Sequence, residues 1–135
     1  MNWLDEITNF LEDYTNVSQL NPNSDLFNEH GVVGDDFHNM MDKFATTYNV
    51  DMSNYIWYFH SDEEGQNIGS VFFKPPYERV KRIPITPKLL SEVAELKTWN
   101  IIYPQHKIPT FRVDILINYI LILGFLLVVA FMYFS

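Results

Sequence analysis

Among its 135 residues the chain has no cysteine, which removes disulfide and thiolate chemistry and agrees with a reducing compartment. It is also short of basic side chains, with nine Lys and Arg against seventeen Asp and Glu and a formal net charge of -8. A surface this acidic repels phosphates, and its few cations are not interleaved with aromatics, so nucleic acid is not an expected partner. The sequence has no glycine-rich phosphate loop, no Ser-His-Asp order and no zinc-type ligand spacing. Neither an enzyme activity nor a cofactor is therefore expected. The opening MNWLDEITNF lacks a basic leader followed by an apolar core, so a cleavable signal is not expected either.

Charge is wholly missing from residues 115–134, ILINYILILGFLLVVAFMYF. About 20 apolar residues at ~1.5 Å rise cover a ~30 Å hydrocarbon core, so the segment from Ile115 to Phe134 is expected to span a lipid bilayer. Only Asn118 and Gly124 interrupt it, and without a small-xxx-small pattern nothing points to dimerisation through the span. One residue follows it, which reads as a tail anchor. Lys97, Lys107 and Arg112 precede the span and nothing basic follows, so the positive-inside rule puts the preceding residues in the cytoplasm. The remaining charge is split along the chain. Residues 1–73 hold thirteen acidic side chains and one basic, Lys43, whereas residues 74–112 hold eight basic and three acidic. An acidic head joined to a basic neck would draw the neck toward anionic headgroups and hold the head off the membrane.

Apolar periodicity supplies the elements. Trp3, Leu4, Ile7, Phe10, Leu11 and Tyr14 fall on one helical face over residues 3–14, with Asn2 as cap. A second helix is expected after Gly34, with Asp35 or Asp36 as N-cap and Phe37, Met40, Met41, Phe44, Ala45 and Tyr48 as its apolar stripe. Two such stripes must bury against each other. Asp51 is expected to cap a short helix in MSNYIWYF. The runs NIGSVFF and VKRIPIT read as a short strand pair around KPPYE. Thr86 and Pro87 then open a helix in PKLLSEVAELKTW. NIIYPQHKIPTFR has two prolines and no period, so it reads as an irregular connector beside the headgroups.

The segment DLFNEHGVVGDDFHNMMDKFATTYNVDMSNYIWYF, residues 25–59, resembles the core of acyl carrier proteins. HGVVGDDF, FATTYNVD and FKPPYERVKRIPITPKLLSEVAELKTW are similar to motifs of an uncharacterised enterobacterial family of carrier-like proteins. The resemblance implies a mainly α fold: a small carrier-like helical bundle with a short strand pair, plus one C-terminal transmembrane helix. Together with the apolar run and the basic residues before it, the expected organisation is a cytoplasmic acyl-carrier-like domain over residues 1–100, a juxtamembrane connector over 101–114 and a span over 115–134, set in the inner membrane of a bacterium. Where a carrier has its phosphopantetheine serine, this chain has Gly34 or, with a one-residue shift, Asp35. Neither has the hydroxyl that attachment needs. The second helix is also the face through which carriers meet basic patches on partner enzymes, which makes Asp35, Asp36, His38 and Asp42 the candidate partner-binding residues. Asp35 and Asp36 would equally serve a helix N-terminus as simple charges.

The expected function is thus a non-catalytic, membrane-tethered module that docks a protein partner. The alternatives are a lipid- or acyl-handling carrier-like protein and an immunity protein against a bacterial toxin. Metal ligation by His60, Asp62, Glu63 and Glu64, or by His30 with His38 and Asp35, competes with the plainer reading of a solvated acidic turn; spacing alone does not assemble four ligands, and no metal is expected.

Overall fold

Asn2 opens the first helix, α1 (Trp3–Thr15), by accepting from the N–H groups of Leu4 and Asp5, and Asn16 closes it in the left-handed conformation. The computed structural model describes all residues from Met1 to Ser135. It divides into two compact units, residues 1–64 with 81–105 and residues 65–80 with 106–135.

In the first unit α1 is followed by α2 (Gly34–Tyr48) and α3 (Pro87–Leu96). Ile7 and Leu11 of α1 are fully buried with Leu90, Val93 and Ala94 of α3 and Phe37, Met40 and Phe44 of α2. The two stripes read from the sequence do meet: Phe10 lies 6.4 Å from Phe44 and 5.5 Å from Tyr48, centroid to centroid. Large rings bridge α1 and α2 because aromatic pairs are favourable at such separations. Thr86 caps α3, accepting from the Leu89 N–H at 3.1 Å, and Pro87 fills its first position.

Three sequence expectations need correction. Asp35 and Asp36 do not cap α2; they sit in its first turn. The preceding residue is an extended Val33 without a capping side chain, and Gly34 enters the helix at φ +56°. The carboxylate at the helix start comes from far along the chain, Asp62 accepting from the Gly34 N–H at 3.0 Å. Asp51 does not start a helix. Its carboxylate accepts from the Ser53 N–H, and its backbone pairs with Lys97 and Trp99 in an isolated parallel bridge. The Ile56 N–H is diverted to the Tyr103 hydroxyl, so only a 3-10 turn, Trp57–Phe59, remains. There is also no strand pair. Residues 68–71 and 76–78 are 3-10 turns, and the stretch before Thr86 has no regular structure, its backbone bonding singly from the Ile83 N–H to the Phe59 carbonyl and from the Leu26 N–H to the Ile85 carbonyl. Pro75, Pro76 and Pro84 have no N–H with which to build a ladder.

The second unit is built on α4 (Val113–Phe134), 22 residues that are long and apolar enough to cross a membrane, with none of the apolar window buried. The turn Ile68–Val71 packs on the start of α4. Gly69 permits this approach: a Cβ there would lie 1.9 Å from the Asp114 carbonyl oxygen.

Candidate functional site

Asp35, His38 and Asp42 stand three and four positions apart on α2, a spacing that lines residues along one helix face. They border an open cleft whose other wall is Tyr55, Trp57, Glu63 and Glu64. The His38 Nε2–H donates to the Asp62 carbonyl at 2.9 Å, and its ring meets Trp57 edge-on at 5.7 Å. That bond fixes the imidazole and ties α2 to the acidic turn. Glu64 has its pKa raised, first by the charge of Asp35 and then by the hydrogen bond that its protonated carboxyl donates to that residue. Two carboxyls that share a hydrogen bond in this way form a focus of negative charge that an incoming cation relieves.

Asp36 does not join this cleft. Its carbonyl accepts from the Tyr14 hydroxyl at 3.3 Å, and it borders a separate depression with His30 and Gly31. Of the four residues named from the sequence, the structure therefore brings three together. Trp57, Glu63 and Glu64 complete the wall. The one sequence signal for them was an aromatic cluster running into an acidic turn.

Gly34, one of the two positions matched to the carrier serine, is buried beneath Glu64. A Cβ on Gly34 would stand 3.1 Å from the Glu64 Cβ, at a φ that side chains rarely adopt. The other, Asp35, is exposed.

The possible metal groupings are not assembled: no three His, Asp or Glu side chains converge as a cation site. His60 is fully buried away from the acidic turn. Its Nδ1–H donates to the Ile83 carbonyl at 2.9 Å, and its Nε2 accepts from the Tyr103 hydroxyl at 2.7 Å. The Tyr103 oxygen in turn accepts from the Ile56 N–H and the Trp99 indole at 3.1 and 2.8 Å. Burial, with a smaller push from Arg82, lowers the His60 pKa to about 4, against the opposing bond to Ile83. The imidazole is neutral at pH 7 and serves as a structural joint.

A second polar cluster lies within the second unit, and nothing in the sequence pattern marks it. Asp114 accepts from Asn67 at 2.8 Å and from the Arg112 guanidinium at 2.9 and 2.6 Å. Asn118 accepts from the Gly69 N–H at 2.7 Å and donates to Asn67 at 2.8 Å. The polar interruption of the apolar run is thus the partner of a backbone group in the preceding loop.

The family described as "Protein of unknown function (DUF1493)" matches residues 3–103. The chain belongs to that family. The match covers α1 to α3 and the acidic cleft and ends before α4. No curated protein and no solved structure matches the chain.

Proposed function

We propose that this DUF1493 chain is a non-catalytic docking module, held at a membrane by α4, that receives a basic segment of a protein partner in the cleft of Asp35, His38 and Asp42. The observation that carries the reading is the composition of that cleft. Four carboxylates, on Asp35, Asp42, Glu63 and Glu64, surround the half-exposed ring of Trp57. This is the chemistry that takes a Lys or Arg side chain, by charge and by stacking over the indole.

Two further features support the reading. The order of α1, α2, a one-turn helix and α3 is the order expected of an acyl-carrier-like bundle, and α2 is the element through which carriers are recognised. Gly34 and Asp35 offer no hydroxyl for a phosphopantetheine arm, which leaves protein recognition as the part of carrier behaviour that this surface retains. The location that fits is the cytoplasmic face of a bacterial inner membrane, with the first unit in the cytoplasm.

The test is capture from native membranes by the full-length chain in mild detergent, compared with a variant carrying Asp35→Asn, Asp42→Asn, Glu63→Gln and Glu64→Gln. The expected result is a discrete partner whose recovery falls at least about tenfold in the variant. Unchanged recovery at about 0.1 M salt, where charge contacts still act over ~10 Å, overturns the reading. So does an intact mass carrying a covalently added phosphopantetheine.

A further inference from the structure

The second unit carries cations and exposed apolar side chains that the docking cleft leaves unused. Arg79 is held by one bond, its Nε–H to the Lys74 carbonyl at 2.6 Å, which fixes the guanidinium and leaves its terminal N–H groups unengaged. The Lys74 ammonium has no anionic partner, and both side chains are exposed. They stand on the rim of a groove whose apolar lining includes Phe73, Pro76, Ile108 and Phe111. Arg112 also borders the groove, but its charge is answered by Asp114. Two uncompensated cations therefore face an apolar cradle.

The groove lies where α4 begins. Val113 and Asp114 line it, and the same loop presents Val71 at 80% and Phe72 at 68% exposure. Gly69 lies against the Asp114 carbonyl and bonds to the Asn118 side chain, level with the first turn of α4. A loop at that depth must have its backbone satisfied internally. Four of its N–H groups are: those of Ser70, Phe72 and Phe73 turn back to Asn67 and Gly69, and that of Gly69 goes to Asn118. The segment 67–73 thus lies against the start of α4 with Val71 and Phe72 exposed, and Lys74 follows it directly.

We propose that Lys74 and Arg79 bind the phosphate of an anionic glycerophospholipid while Phe73 and Phe111 contact its glycerol and upper acyl carbons. Guanidinium and ammonium groups match a phosphodiester, and basic residues beside a membrane helix are suited to anionic headgroups. The inference rests on α4 being a membrane helix.

The experiment reconstitutes the full chain in vesicles and, after gentle solubilisation, measures retained lipid by native mass spectrometry. Dioleoylphosphatidylglycerol is compared with dioleoylphosphatidylcholine, and wild type with Lys74→Gln/Arg79→Gln and with Lys81→Gln/Lys88→Gln, which loses equal charge elsewhere. One phosphatidylglycerol per chain is expected, held at least about tenfold more weakly by the first variant and unchanged in the second. Equal retention of the two lipids, equal loss in both variants, or equally tight binding of inorganic phosphate overturns the proposal. Alkaline extraction of the same vesicles separates the two claims. A chain that stays in the bilayer yet prefers neither lipid refutes the lipid site alone, whereas a chain that is extracted refutes the membrane helix.

Discussion

Two tyrosines in the same aromatic layer lead to opposite expectations. The Tyr103 hydroxyl serves Ile56, His60 and Trp99 together, so Tyr103→Phe strands two N–H donors and one ring nitrogen. At about 1–3 kcal/mol for each of these three groups left unsatisfied, denaturant unfolding should show a loss of about 3 kcal/mol or more. The buried Tyr55 hydroxyl has no partner, and Tyr55→Phe should be neutral or slightly stabilising in the same measurement. His60 adds a pH signature. Its folded pKa of about 4 lies below the ordinary 6.5, so its neutral form supports the fold fully above pH 6.5. That support is lost as pH falls through 6.5 toward 4, because only the unfolded chain takes up the proton. The difference corresponds to about 3 kcal/mol. His60→Gln should cost stability at pH 7 yet flatten this slope. A slope that persists unchanged in the variant would show that other groups cause it. None of these roles was legible in the sequence, where His60 reads as one more member of an acidic turn. Only the fold brings Ile83 and Tyr103 to it.

At the scale of elements, the periodic segments were legible and the irregular ones were not. The apolar stripes of α1, α2 and α3 recur with the helical period, and packing then follows with little choice. The start of α2 is not legible locally, because the side chain that meets Gly34 is Asp62, twenty-eight positions away, and no local rule finds it. The runs NIGSVFF and VKRIPIT have strand composition, yet Gly69 and the prolines turn the first into 3-10 geometry and leave the second without a ladder. A consequence for α2 is measurable. Since Asp35 and Asp36 only charge its first turn, Asp→Asn at both should cost about 0.3–1 kcal/mol each at most, whereas Thr86→Ala removes a real cap and should cost about 0.5–2. Gly34→Ala combines a left-handed φ with the Glu64 contact. It should destabilise by more than Gly31→Ala, where φ is +68° but space is open, by an amount seen directly as a difference in Tm.

For the whole molecule the account rests on separation of charge. The acidic side chains crowd the residues before Lys74, and the basic ones follow it up to the apolar helix. That division was legible from composition alone, as was the length of the apolar run. Which carboxylates share a cleft was not, because α2 and the turn at Asp62 to Glu64 meet only in the fold. The central claim, a protein partner seated in that cleft, is tested most directly by site-specific photocrosslinking in native membranes. A photoreactive residue replaces Asn39, exposed on α2 beside His38, or Asp13, exposed on α1. The account predicts a discrete protein adduct from position 39 that disappears with Asp35→Asn and Asp42→Asn, and no such adduct from position 13. The same adduct from both positions, or one from position 39 that survives loss of the carboxylates, would contradict it.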